Sequence, residues 1–203
     1  MSHYFGSPTG AYVMREVAAE LAGERRTVRT ASGVFSADGL DHATAILLHT
    51  VPAPTRGTVV DLGCGWGPIA LHLALREPGV EVIAVDVNPR ARELCAINAE
   101  LLGVADRVRV LAPEQAPKRY DELWSNPPIR IGKPALHALL LEWLPRVELA
   151  HLVVGKNLGA DSLARWLAEQ GWPCERLASS KGFRVFEARR GTPAESVHTG
   201  GVA

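Results

Sequence analysis

A short buried strand, Thr58–Leu62, runs directly into Asp61-Leu62-Gly63-Cys64-Gly65-Trp66-Gly67-Pro68. Glycines at 63, 65 and 67 let the backbone turn sharply and approach a ligand with no Cβ in the way. Alone, such a run is only a tight turn. Placed between a buried strand and a helix, it implies an open α/β sheet with a ligand crevice beyond the carboxyl ends of its strands.

The rest of the chain supplies that sheet. From residue 58, strands and helices alternate. Pro68–Arg76 reads as a helix stopped by Glu77-Pro78-Gly79, and Glu81–Val85 as a second strand. Pro89–Leu102 is a helix with Asn88 as its N-cap, Pro89 at its first position and Gly103 past its end. Strands follow at Arg107–Leu111, Asp121–Ser125 and Leu149–Gly155, helices at Lys133–Leu144 and Asp161–Gln170, and a closing strand pair at Cys174–Ser179 and Phe183–Ala188. The expectation is a Rossmann-like α/β fold: a mostly parallel seven-stranded sheet with helices on both faces. Residues 1–57 form an N-terminal extension packed on this 58–190 catalytic domain. Within it, Arg25–Arg29 and Gly33–Phe35 are expected to pair as a hairpin around Ala31-Ser32-Gly33, followed by a helix over Asp41–Thr50. The tail, residues 191–203, is rich in Gly, Thr, Ser and Ala and is expected to be disordered.

Composition narrows the function. The 203 residues suit one domain, and 22 basic against 22 acidic side chains argue against bulk, non-specific nucleic-acid binding while leaving room for a local basic face. No apolar run is long enough to span a membrane, and Met1-Ser2-His3-Tyr4 does not open a secretory signal, so a cytoplasmic protein is expected. Cys64, Cys95 and Cys174 form no Cys-x-x-Cys pair and the seven histidines show no ligand spacing, so neither a metal nor a disulfide is expected.

The spacing of the loop selects the cofactor. Gly-x-Gly-x-x-Gly would aim a helix N-terminus at a pyrophosphate; Gly-x-Gly-x-Gly with Asp61 instead suits S-adenosylmethionine, which has no phosphate and carries an ammonium for an acidic group to meet. Asp86 ends the second strand, 23 residues after Gly63, where a carboxylate can accept both ribose hydroxyls. A nicotinamide enzyme is the disfavoured alternative. The expected cofactor residues here are Asp61, Gly63, Cys64, Gly65, Gly67, Asp86 and Val87, with S-adenosylhomocysteine as the product form.

The fourth strand ends in Trp124-Ser125-Asn126-Pro127-Pro128-Ile129-Arg130. Asn-Pro-Pro is by itself a turn signal. At this strand end, Asn126 projects beside the methyl donor. An exocyclic or amide nitrogen is a poor nucleophile because its lone pair is delocalised. The Asn126 side-chain oxygen and the Pro127 carbonyl can each accept one N–H, turning the lone pair outward and stabilising the charge that develops on nitrogen. Asn126 and Pro127 are therefore the expected catalytic residues, with Asn126 also touching the cofactor. Pro128, Ile129, Arg130 and Lys133 are the expected substrate contacts.

These stretches resemble the methyltransferase small domain, specifically the ribosomal RNA guanine-N2 methyltransferases of the RsmC type, over about residues 3–190. The resemblance is carried by His3-Tyr4-Phe5, Gly33-Val34-Phe35-Ser36, Gly39-Leu40-Asp41 with Thr44 and Leu47-Leu48, the Asp61–Gly67 loop, Val85-Asp86-Val87-Asn88, Asn98-Ala99-Glu100, Asn126-Pro127-Pro128 with Gly132-Lys133, Asn157-Leu158-Gly159-Ala160 and Lys181-Gly182-Phe183-Arg184-Val185. It implies a class I S-adenosylmethionine-dependent fold and a cofactor pocket covered by Phe35, Asp41 and Thr44. It further implies a monomer that methylates guanine N2 in structured RNA, most directly 16S ribosomal RNA or the small ribosomal subunit. The chain departs from the family where an aromatic residue and His usually follow Asn-Pro-Pro: Ile129 and Arg130 stand there. It departs again after the third strand, where Ala112-Pro113 replace the usual acidic residue and leave Glu114 or a backbone group to meet the adenine. Some members carry a second, inactive N-terminal copy of the domain; here only the hairpin section is seen.

Three other readings stay open: a protein-glutamine methyltransferase, which also uses Asn-Pro-Pro; a small-molecule N-methyltransferase; and a degenerate member that binds cofactor and RNA without turnover. Arg25, Arg26, Arg29, Arg130, Lys133, Lys156, Lys181 and Arg184 are the basic residues expected near the mouth, about half of them irrelevant to RNA. Trp66 is expected either to line the pocket or to pack on the helix.

Overall fold

A computed structural model describes residues 13–34 and 36–191. The calls on His3-Tyr4-Phe5, on Phe35 and on the tail after Gly191 fall outside the described residues.

The chain opens with an antiparallel hairpin, β1 (Met14–Leu21) and β2 (Glu24–Ala31), which leads to helix α1 (His42–Thr50). Then come β3 (Gly57–Leu62), α2 (Pro68–Arg76), β4 (Val80–Val85), α3 (Pro89–Leu101), β5 (Val108–Leu111), β6 (Glu122–Ser125), α4 (Lys133–Trp143), β7 (Leu149–Gly155), α5 (Ala160–Glu169), β8 (Cys174–Ser180) and β9 (Phe183–Arg189). The seven-stranded sheet has the order β5-β4-β3-β6-β7-β9-β8, with β9 antiparallel to both neighbours and the other pairs parallel. This agrees with the expected mostly parallel sheet. The order reverses between β3 and β6, which opens a crevice at their carboxyl ends.

Side-chain alternation builds two cores. Val59, Val82 and Ala84 point to one face with α1, α2, α3 and the hairpin; Val60, Leu62, Ile83 and Val85 point to the other with α4 and α5. Parallel strands buried on both faces explain why this stretch reads as continuous apolar sequence.

The expected hairpin is corrected. Glu24–Ala31 pairs upstream with Met14–Leu21, not downstream with Gly33–Phe35. Ala22 (φ 52°) and Gly23 (φ 82°) form a two-residue turn with positive φ, whose twist matches that of the flanking strands. Ala19, Leu21, Val28 and Ala31 of the hairpin are all buried in the core on that face of the sheet. The Ala31–Gly33 turn does form, with Val34 N–H donating to the Ala31 carbonyl at 3.3 Å, but it leads into further turns through Ser36–Leu40. Sequence pattern missed this because Ala22-Gly23 is a less obvious hairpin signal than Ser32-Gly33.

Asn98 fastens the hairpin to the sheet layer. Fully buried on α3, its amide oxygen accepts the Arg29 N–H at 2.7 Å, and its Nδ2 donates to the Arg29 and Trp66 carbonyls at 2.8 and 3.0 Å. One side chain thus ties β2, α3 and the glycine loop together.

Candidate cofactor and catalytic site

The glycine loop is strapped to the end of β4. Gly63 and Cys64 N–H groups both donate to the Val85 carbonyl, at 2.8 and 3.0 Å. Gly67 (φ 99°) caps α2, and a Cβ there would meet Cys95 Sγ at 2.7 Å, so glycine is required by conformation and by space. Gly63 and Gly65 also have positive φ, but a Cβ on either would meet nothing within 4 Å. Their glycines leave open the space a ligand would use. The Cys64 thiol is pushed well above its ordinary pKa by a hydrogen bond with Cys95 and by burial, so it stays a protonated wall of the loop. Trp66 is fully buried in the core, its carbonyl held by Asn98, and it also lines the cavity described next.

That cavity lies between the N-terminus of α1 and the loop. Thr44, Gly63, Gly65, Pro68, Ile69 and Asn126 are among its walls. Asn126 reaches it because β6 is anchored beside β3: the buried Ser125 hydroxyl donates to the Leu62 carbonyl at 2.6 Å. Pro127 is buried and Pro128 exposed, and the chain then makes a single 3-10 turn, Ile129–Ile131. The Ile129 side chain lies outside what is described. Asp41 is the N-cap of α1, its Oδ1 accepting from Ala43 and Thr44 N–H at 2.9 and 3.2 Å. The Asn126 Nδ2 donates to Asp41 Oδ1 at 3.3 Å and to Thr44 Oγ1 at 3.1 Å.

Three carboxyl groups, Asp61, Asp41 and Asp86, stand around the crevice. Asp61 is fully buried; one oxygen accepts the Ala70 N–H at 3.0 Å and the other, Oδ1, has no partner. Burial pushes its carboxyl up to about 8, against the Ala70 hydrogen bond and with a contribution from Asp86. The Asp41 Oδ2 is likewise buried and unpartnered. These two orphan oxygens, one next to the glycine loop and one on the carboxyl group whose other oxygen meets Asn126, fit a cationic ligand. Asp86 holds the loop as well as facing it: its oxygens accept the Gly65 N–H at 2.9 Å and the Asn88 N–H at 2.8 Å. Burial raises its pKa too, opposed by those bonds. A carboxylate has about four acceptor positions, which leaves capacity for a ribose hydroxyl beside these backbone donors. Beyond it, Val87 is 51% exposed, an apolar surface for a base. After β5, Glu114 is exposed and the Ala112 N–H is taken by the Gln115 side chain at 3.2 Å.

Sequence reasoning named the loop, Asp61, Asp86, Asn126, Asp41 and Thr44, and the fold brings them to one crevice. It gave no role to Ser125, Asn98 or Gln115, although Asn98 stands among the residues that carry the resemblance. A lone Asn inside the apolar face of a helix was the available signal for Asn98; nothing local marks the other two.

The Methyltransferase small domain model matches residues 25–187. The chain belongs to the methyltransferase small-domain family. It is 31% identical over 173 residues to the Uncharacterized protein YbxB of Bacillus subtilis, covering 81% of this chain and 86% of that one. It is 33% identical over 183 residues to the Ribosomal RNA small subunit methyltransferase C of Pectobacterium atrosepticum, covering 86% of this chain and 51% of the relative. The chain thus spans about half the length of that relative. Among solved structures, the T. thermophilus 16S rRNA N2 G1207 methyltransferase (RsmC), in complex with AdoMet and guanosine, superposes with a TM-score of 0.76 at 24% identity, over 90% of this chain and 52% of that one. A ribosomal protein L11 methylase from Lactobacillus delbrueckii subsp. bulgaricus reaches 0.63 at 15% identity, over 88% and 96%. These likenesses show the class I fold. As a member of this family the chain is an S-adenosylmethionine-dependent methyltransferase, and the orphan carboxylate oxygens, open glycines and Asp86 fit that cofactor.

The expected basic residues divide into two sets. On the hairpin, Arg26 pairs with Glu24 at 2.7 Å, Arg29 with Glu16 at 3.8 Å, and Arg25 stands opposite Glu20; Arg184 pairs with Asp161. Arg130, Lys133, Lys156 and Lys181 are exposed: Arg130 after β6, Lys133 at the first position of α4, Lys156 after β7 and Lys181 in the β8–β9 turn. The Lys156 N–H donates to the Gly182 carbonyl at 2.8 Å, which joins the last two loops. A Cβ on Gly159 would sit 3.7 Å from Lys133 Cε, so that side chain reaches toward the loop after β7. No helix among the described residues is long and apolar enough to cross a membrane.

Proposed function

We propose that the chain methylates an exocyclic amine of structured RNA, guanine N2 of small-subunit ribosomal RNA, in the cytoplasm. The observation that carries this reading is Asn126, held at the cavity wall with its Nδ2 turned inward and its oxygen left to accept from an amine. The similarity to a small-subunit ribosomal RNA methyltransferase supports the substrate class.

S-adenosylmethionine, when bound, supplies an electrophilic methyl group on sulfur. Asp61 and Asp86 would hold its ammonium and ribose, with Gly63, Cys64, Gly65, Gly67 and Val87 along its length. Asn126 Oδ1 and the Pro127 carbonyl accept the two N–H bonds of the amine. That fixes its lone pair toward the donor and stabilises positive charge as it builds on nitrogen. The proton leaves after transfer, so no strong base is needed.

A base inside a duplex cannot enter this crevice, so the guanine must be unpaired or flipped out. Arg130, Lys133, Lys156 and Lys181, which have no ion-pair partner among the described residues, would form one basic lip along the β6, β7 and β9 side of the mouth. Their arrangement favours a phosphate backbone along that side, away from the acid-matched hairpin. Arg130 takes the place of an aromatic stacker by lying on the base or gripping its phosphate.

The test is incubation with labelled S-adenosylmethionine and separate pools of small ribosomal subunits, naked ribosomal RNA, protein and metabolites. Label in guanine N2 of the RNA is expected. Label in protein glutamine or a metabolite, with none in RNA, overturns the RNA assignment. Bound cofactor with no transfer to any pool would favour a member without turnover.

A further inference from the structure

We infer that Asp41 and Thr44 are positioning residues: the first turn of α1 acts as a clamp that fixes which end of the Asn126 amide faces the substrate. The inference rests on the proposed role of Asn126 as acceptor for the target amine.

The argument begins with donor and acceptor counts. A primary amide has two N–H donors on one end and a carbonyl acceptor on the other, nearly identical in shape. If it flips, the site presents donors to an amine that is itself a donor, and the hydrogen bond is lost. A carboxylate offers only acceptors. Contact between Asn126 and Asp41 Oδ1, at 3.3 Å, therefore identifies the touching end as Nδ2. The second proton goes to Thr44 Oγ1 at 3.1 Å. Both donors are consumed on the α1 side, which leaves Oδ1 for the substrate.

The clamp is itself rigidly held. Asp41 Oδ1 also accepts the Ala43 and Thr44 backbone N–H groups, so its position is set by the helix terminus it caps. Thr44 is buried at 2% exposure and has a β-branched, stiff side chain. Asp41 and Asn126 are 85 residues apart in sequence, so only the packing of the N-terminal section on the sheet brings them together. That section is therefore part of the catalytic apparatus, not only a cover for the cofactor.

The experiment measures single-turnover methyl transfer to unmodified small ribosomal subunits, with cofactor affinity by calorimetry on the same proteins. Asn126→Ala is the control for the underlying reading. Thr44→Val keeps shape and removes the hydroxyl: a 5- to 10-fold fall in rate is expected, with cofactor affinity within about 3-fold. Thr44→Ser restores the hydroxyl and is expected to restore the rate. Asp41→Ser keeps a capping oxygen but is too short to reach Asn126, and a fall of about 10-fold or more is expected. The Asn126 side-chain amide pair in a nitrogen–proton NMR spectrum, with S-adenosylhomocysteine bound, is expected to shift in Thr44→Val and return in Thr44→Ser. If Asn126→Ala is impaired while Thr44→Val turns over normally with an unmoved amide pair, the clamp is overturned and the role of Asn126 stands. If Thr44→Ser falls as far as Thr44→Val, or affinity falls in step with rate, Thr44 serves packing or cofactor and the clamp is again overturned. An undiminished rate in Asn126→Ala removes the underlying reading, and the clamp with it.

Discussion

The two sides of the crevice are built differently. On the β3–β4 side, every functional group is held by the backbone: Asp61 by Ala70, Asp86 by Gly65 and Asn88, the loop by Val85. On the β6–β9 side, the groups offered to a ligand are long cations without ion-pair partners among the described residues, mounted on turns and at the start of α4. A small cofactor of fixed shape rewards a site that is finished before it arrives. A large polyanion is met by charges that adjust, because Coulomb attraction tolerates displacement in a way that a hydrogen bond does not. Asn126 sits on the seam, a loop residue held as firmly as the cofactor side.

The largest effect should fall on that seam. Asn126→Ala is expected to lower single-turnover rate by about 10²-fold or more while cofactor affinity stays nearly unchanged, since it deletes an interaction that strengthens as charge develops. If calorimetry shows affinity falling as steeply as rate, Asn126 belongs to the cofactor side and the division is misdrawn.

Asp86→Ala comes next. It removes two acceptors for a ribose and frees the Gly65 and Asn88 N–H groups as well. Cofactor affinity should fall by about 10- to 100-fold, with a lower melting temperature. An unchanged dissociation constant would remove Asp86 from the cofactor site.

Asp61 gives the cofactor side a pH signature. With its folded pKa raised to about 8 from 3.8, the carboxyl holds a proton at neutral pH. The sign follows. Stability from this group is full below 3.8 and is lost as pH rises toward 8, because the unfolded chain ionises first. A bound ammonium favours the ionised form, so binding should release up to one proton near pH 7 and strengthen as pH rises toward 8. Binding enthalpies measured in phosphate and in Tris should differ, and Asp61→Asn should remove the difference. Equal enthalpies in the two buffers for the unaltered protein would mean that the ammonium lies elsewhere.

The smallest effect belongs to the lip. Arg130→Ala should weaken RNA binding modestly and flatten its logarithmic salt dependence by about one unit if Arg130 grips a phosphate. A loss of turnover with the slope unchanged would instead make it a stacking residue. Arg26→Ala on the hairpin should leave the slope as it is; a matching change there would spread the RNA path across both sides.

How much of this was legible depended on how far apart the partners lie. The glycine loop, Asp61 and the N-cap of α3 act within a few residues of themselves, so spacing alone specified them. The parallel sheet was legible too, because strands buried on both faces must be apolar throughout. The hairpin was misread because two glycine-containing turns competed, and the choice between Ala22-Gly23 and Ser32-Gly33 was made by burying Ala19, Leu21 and Val28 against the helices.

Sequence by itself determined the fold class, the cofactor loop and the candidate catalytic Asn126, all of which follow from local spacing and hydrophobic pattern. Tertiary structure decided which basic residues have ion-pair partners among the described residues, that Asp86 braces the loop it faces, and which end of Asn126 is turned outward. The last two depend on groups 21 and 85 residues apart meeting across the fold, a distance over which no periodicity in the chain carries information.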